Sequence, residues 1–295
     1  MTGEIQMPQN VPWDSQDLHE WGSRHAPGKF IDLEGHITHY IEKGAGDPVI
    51  LIHGFFYNSC MWEKNIDVLA KQFRVFAIDL WGFGYSTREP LDYGYPLYER
   101  QLWAFMDALG IETATLIGQS MGGGTCLSLA AHRRDKIEKL ILVSPAGLPN
   151  PYPFIARLPT IPGLGEFFFS MPGNLTRRIA LWNFFFDRNL ITDSDFEKVT
   201  LPHKIKGSNK AMLRILRRRF FDTLAGEIKS LEDADIPLLI VWGREDKGIP
   251  LEKGIEINSI IKGSRLEILD RAGHCPQDEQ SEQFNRLALD FLITK

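Results

Sequence analysis

From residue 48 onward one pattern recurs six times: a short, nearly uninterrupted apolar run ending in Gly, Asp or Ser, with helical periodicity in the stretches between. The runs are PVILIHG (48–54), FRVFAIDLWG (73–82), TATLIGQS (113–120), KLILVSPAG (139–147), PLLIVWG (237–243) and SRLEILD (264–270). A strand with one wet face would show a polar residue at every second position. A run apolar throughout fits a parallel strand covered on both faces. The helical stretches at 60–72, 96–109, 121–132, 251–260 and 280–292 supply that cover. Repeated strand–helix units point to a doubly wound sheet with right-handed crossovers. Ahead of them, 29–33 and 37–43 flank Glu34-Gly35, a hairpin turn, so an antiparallel pair precedes the parallel series. The expectation is an α/β protein with a mostly parallel, eight-stranded sheet.

Residues 148–226 break the rhythm. They begin with Pro149, Pro151, Pro153, Pro159 and Pro162, turn helical, and hold ten of the 19 phenylalanines. A bare loop of this length is foreign to a compact domain. The segment reads as a helical cap over the carboxyl edge of the sheet, where open α/β folds bind ligands. The expected division is a core of 1–147 and 227–295 with a cap subdomain of 148–226.

Gly118-Gln119-Ser120-Met121-Gly122 fits G-x-S-x-G, between an apolar strand and a helix-forming stretch. That context exposes a serine on a sharp strand-to-helix turn, and small residues at 118 and 122 let strand and helix close up. The following helix N-terminus favours developing negative charge. Ser120 is therefore the candidate nucleophile. A serine hydroxyl needs a base, and the eight histidines narrow quickly. His19 and His25 lie in the N-terminal extension, and His36 and His39 at the early hairpin. His53 precedes a loop it would brace, His132 ends the helix after Ser120, and His203 is in the cap. His274 remains, on a glycine-flanked loop after the last strand.

These motifs resemble those of the α/β-hydrolase family. The resemblance runs from about residue 29 to the end, through His53-Gly54-Phe55, DLWGFGYS (79–86), GQSMGG, WGREDKGIP (242–250) and AGHCPQDEQ (272–280). It implies an α/β-hydrolase fold with the chain order Ser…Asp…His. Asp246 then takes the acid position, ahead of its neighbour Glu245. The implied oxyanion donors are the backbone N–H groups of Met121 and Phe55, with Phe56 the alternative for the latter. Asp79 reads as a turn brace. Phe56, Phe185 and Trp182 are expected to line the substrate pocket. Cys275, beside His274, suggests sensitivity to thiol reagents.

The resemblance implies no cofactor and no metal. A net charge of -5 gives no electrostatic ground for nucleic acid. The basic stretch LRILRRRFF (213–221) reads as a solvated helix face. Cys60, Cys126 and Cys275 have no metal-type spacing and read as free thiols. With no visible signal peptide and no long apolar run, the expectation is a cytoplasmic monomer or homodimer that does not insert stably into membranes.

Serine at 120 disfavours haloalkane dehalogenases and epoxide hydrolases, which carry Asp there. The leading expectation is a carboxylic-ester hydrolase that forms an acyl-enzyme on Ser120 with a small-molecule ester. The second is carbon–carbon bond hydrolysis of ring-cleavage products. FFFDRNLITDSDF (184–196) and the glycines at 122–124 resemble the meta-cleavage product hydrolases. HGFFYNS in place of a glycine-rich loop, Cys275 in place of tryptophan, and no arginine soon after LITDSDF depart from them. GHCPQDE resembles hydrolases of chlorophyll-related esters. A triad-retaining ligand receptor and a perhydrolase are further alternatives.

Overall fold

The computed structural model describes residues 11–150 and 157–294. Pro151 and Pro153 lie outside the described residues. Eight strands form one sheet in the order β1-β2-β4-β3-β5-β6-β7-β8. They are β1 Lys29–Leu33, β2 His36–Lys43, β3 Pro48–Ile52, β4 Arg74–Ile78, β5 Ala114–Gln119, β6 Ile137–Val143, β7 Leu238–Gly243 and β8 Arg265–Leu269. β1 and β2 pair antiparallel across the Glu34-Gly35 turn, and β2 pairs antiparallel with β4. From there to β8 every pairing is parallel. The sequence pattern thus identifies the α/β-hydrolase sheet, including its antiparallel start.

Burial explains the uninterrupted runs. Every residue of β5 and β7 is buried, as are four of the five in β3. Helices on both faces seal them: Glu63–Leu69, Tyr95–Ala108, Met121–His132, Leu251–Ile260 and Ser281–Ile293. Trp62, Trp81, Phe105, Trp242 and Phe284 belong to one hydrophobic core and have essentially no exposure. Each such side chain removes a large apolar area from water, worth roughly 2–3 kcal/mol before the entropy of ordering it.

Between β6 and β7 the chain leaves the sheet for a run of short helices. Among the described residues these include Leu164–Ser170, Leu175–Trp182, Asp193–Thr200, Ser208–Arg218 and Ala225–Ser230. The N-terminal stretch is not the plain extension expected of it. Leu18–His25 is a helix capped by Asp17, whose carboxylate accepts from the N–H groups of His19 and Glu20. Its buried Trp21 donates from Nε1 to Leu201 O (3.1 Å), and Gln16 bridges Ile205. The helix therefore braces the inserted segment. Among the described residues no helix is long and apolar enough to cross a membrane.

Candidate active site

Ser120 lies between the end of β5 and helix Met121–His132, at φ 52°, ψ −115°. A non-glycine residue at positive φ costs roughly 1–2 kcal/mol, so the surroundings must hold it there. Ser120 N donates to Val143 O (2.9 Å), and Ser120 O accepts from Gly124 N and Ala146 N (2.9 Å each). A Cβ on Gly122 would lie 2.3 Å from Ile52 O, so only glycine lets the helix start this close to β3.

The strand order brings the other candidates to the same edge. His274 follows β8 and Asp246 follows β7, so chain segments 28 residues apart meet at adjacent strand ends. His274 Nε2 lies 2.8 Å from Ser120 Oγ, and its Nδ1 lies 2.7 Å from Asp246 Oδ2. Asp246 Oδ1 accepts from the N–H groups of Gly248 (2.8 Å) and Ile249 (3.0 Å), which locks the carboxylate. The Asp246 side chain is inaccessible to solvent, and that of His274 is 6% exposed. Glu245, the competing acid, turns the other way and accepts from Ala272 N (3.0 Å). This arrangement can move a proton from Ser120 Oγ to Nε2 while the imidazole stays in one tautomer.

The loop after β3 presses on the nucleophile. A Cβ on Gly54 would lie 2.1 Å from Gln119 Oε1 and 3.2 Å from Ser120 Cβ. Met121 opens its helix, so its N–H has no intrahelical acceptor. Phe56 sits at φ 75° and its carbonyl meets His203 Nε2 at 3.0 Å. Burial pushes the His203 imidazole well below its usual range, so the neutral ring donates this hydrogen bond. His53 braces the loop as expected: Nδ1 lies 2.7 Å from Gly54 O, and Nε2 accepts from Leu80 N (3.0 Å). Asp79 is also a brace. It accepts from Ser59 N and Tyr85 N and meets His39 Nδ1 at 2.7 Å.

A cavity of about 250 Å³ opens over Ser120 and His274. Phe55, Phe184, Leu216, Phe221 and Ile249 make its apolar wall, and Arg157, Arg219 and Asp222 its charged part. Phe56, Phe185 and Trp182 do not line it, contrary to expectation. Phe184 faces the site with its ring stacked on His274, centroids 5.8 Å apart. Phe185, one residue on, is turned away into a small separate cavity with Tyr57 and Leu181. Phe56 is buried against His203, and Trp182 ends its helix half-buried outside the cavity. Nor is Cys275 poised for thiol reagents, because it is buried and burial pushes its thiol well up. Among the described residues no group of three His, Cys, Asp or Glu could hold a metal ion.

Glu279 had no sequence signal beyond its place in AGHCPQDEQ. Its Oε1 accepts from Gly273 N (2.6 Å), and its Oε2 accepts from Phe186 N (2.7 Å) and Asp187 N (3.2 Å). Burial pushes its carboxyl up to about 7, against the pull of those three donors. With His274 N donating to Phe184 O (2.8 Å), Glu279 clamps the inserted segment onto the histidine loop.

Residues 47–170 match the profile of a family described as alpha/beta hydrolase fold. The chain is 33% identical to the 2-hydroxymuconate semialdehyde hydrolase of Pseudomonas sp. strain CF600, over 96% of both chains. It is 30% identical to the 2-hydroxy-6-oxo-2,4-heptadienoate hydrolase of Pseudomonas putida, over 91% of this chain and 97% of the other. Among solved structures, a meta-cleavage product hydrolase from Pseudomonas fluorescens IP01 superposes with a TM-score of 0.77 at 30% identity. That match covers 90% of this chain and 97% of the other. These relatives are named as hydrolases of a semialdehyde, a dienoate and a meta-cleavage product, which favours the second functional expectation over the ester. With the sheet, the serine turn and these full-length relatives in view, the chain belongs to the α/β-hydrolase family and is a hydrolase.

Proposed function

We propose that the protein hydrolyses a carbon–carbon bond in a 2-hydroxy-6-oxo-2,4-dienoate, the class of compound named for its relatives. The observation that carries this reading is the likeness to such hydrolases across nearly the whole chain. The chemistry suits the site. Moving the enol proton to C5 gives a 2,6-diketone, and attack at C6 can then expel a carbanion whose charge runs through the C3–C4 alkene to the 2-oxo oxygen. Ser120 Oγ attacks C6 as His274 Nε2 takes its proton, and Asp246 stabilises the imidazolium. The N–H groups of Phe55 and Met121 receive the oxyanion. The C5–C6 bond breaks, the dienolate takes the proton from His274, and an acyl group remains on Ser120. Water activated by His274 releases the acid and restores the serine. Residues 148–226 act as the cap that shields these steps from solvent.

The test is loss of the dienol's absorbance on mixing purified protein with 2-hydroxy-6-oxo-2,4-heptadienoate. Ser120→Ala should lower kcat by about 10³-fold or more. An unchanged rate in that variant would remove Ser120 from the chemistry. Ester hydrolysis is the second reading. It is favoured by HGFFYNS at 53–59 and by Cys275, both departures from the meta-cleavage pattern. Turnover of 4-nitrophenyl esters without turnover of the dienoate would put it first.

A further inference from the structure

The basic stretch at 213–221 is not one uniform solvated face. Arg217 pairs with Glu166 (2.8 Å) and Arg218 pairs with Asp92, so both are neutralised at the surface. Helix Ser208–Arg218 stops there, and Arg219 takes a left-handed backbone at φ 51°, ψ 35°. A long side chain is seldom placed in that conformation without a reason. Here the departure from the helix puts Arg219 on the wall of the cavity that holds Ser120. Arg157, arriving from the other end of the inserted segment, lines the same cavity.

Neither guanidinium has a hydrogen-bond or ion-pair partner among the described residues. Among the described residues Asp222 is the one carboxylate lining the cavity. Burial pushes its carboxyl up on balance, and Arg219, the backbone of Asn150 and Arg157 each offset part of that push, so it feels both arginines. It forms no ion pair with either, so two cations face one anion across a largely apolar wall. Arg157 and Arg219 are themselves exposed, so solvent weakens the field of this surplus charge, and their pull on an incoming group is strongest at hydrogen-bonding range.

We propose that Arg157 and Arg219 form an anion subsite within the catalytic cavity, which seats the carboxylate of the substrate while its carbonyl sits at Ser120. This rests on the dienoate reading for the identity of the substrate, but the subsite itself predicts only a preference for a carboxylate. A guanidinium meets a carboxylate with two parallel N–H···O bonds, so a pair of arginines on the wall of this cavity would fix the direction in which the molecule binds. The apolar wall of Phe184, Leu216 and Phe221 takes the chain between the two ends.

The experiment compares two unreactive probes by calorimetry: 6-oxoheptanoate, a saturated keto acid, and 2-heptanone, which lacks the carboxylate. Wild type should bind the keto acid about tenfold more tightly or better. Arg157→Gln with Arg219→Gln should erase that advantage and leave 2-heptanone binding and the melting temperature unchanged. Arg219→Lys should restore part of it. Equal binding of the two probes by wild type, or an unchanged preference in the double variant, overturns the subsite. Turnover of the dienoate is read separately. Charge-dependent binding without that turnover supports the subsite and overturns the carbon–carbon reading.

Discussion

Asp246 and Glu245 are chain neighbours of like charge, and the difference between them lies in direction. Asp246 spends one oxygen on two backbone N–H groups and the other on His274, whereas Glu245 is committed to Ala272 N. Asp246→Asn should therefore lower kcat by about 10³–10⁴-fold, because an amide at this position favours the wrong imidazole tautomer. Glu245→Gln should leave kcat within about twofold and cost roughly 1 kcal/mol of stability. Steady-state kinetics beside denaturant melts separate the two, and equal losses of kcat would remove the distinction. At this scale the sequence is legible where a motif restricts the backbone. Ser120 and His274 stand out because a strand, a turn and chain order all point to them. Phe184, Phe185 and Phe186 carry no such restriction. Three identical residues have no periodicity, and the turn that aims Phe184 at His274 is set by tertiary hydrogen bonds.

The strands and the helices that cover them read directly from apolar runs, because burial on both faces leaves no position for a polar residue. The helix Leu18–His25 was readable too, since Asp17 stands three residues before Glu20, an N-terminal helix signal. The clamp at Glu279 was not, because two of its three donors, Phe186 N and Asp187 N, come from a segment far away in the chain. Glu279→Ala would leave the buried N–H of Gly273 without its acceptor, worth about 1–3 kcal/mol, and the part-buried N–H groups of Phe186 and Asp187 at a smaller cost, since water can reach them. The expected outcome is a lower melting temperature together with faster amide exchange at residues 184–187 and 273–274. Exchange that speeds up uniformly over the whole chain would show general destabilisation instead of a lost clamp.

At the scale of the whole molecule, Asp79 joins β2, the turn after β4 and the segment after β3 through His39, Tyr85 and Ser59. Burial pushes its carboxyl up, but His39 and the backbone donors outweigh that and hold it at about 2, below the usual 3.8. A depressed folded value means the contribution is complete above 3.8 and is lost as pH falls through about 2. The loss is about 2 kcal/mol. Acid unfolding followed by circular dichroism should show this step in wild type, and Asp79→Asn should lack it while being less stable at neutral pH. A step of the same size in the variant would assign the titration elsewhere.

By itself the sequence determined the sheet, its antiparallel start, the serine turn and the histidine loop. Each of these follows from local rules: runs too apolar for a wet face, turns that need small residues, a strand feeding a helix. Tertiary structure decided what the site contains around them. It turned Asp246 inward and Glu245 away, put Phe184 where Phe185 was expected, and set Arg157 and Arg219 on one cavity wall. The physical reason is the same in each case. Side-chain direction at these positions is fixed by contacts between segments far apart in the chain, and no local pattern records them.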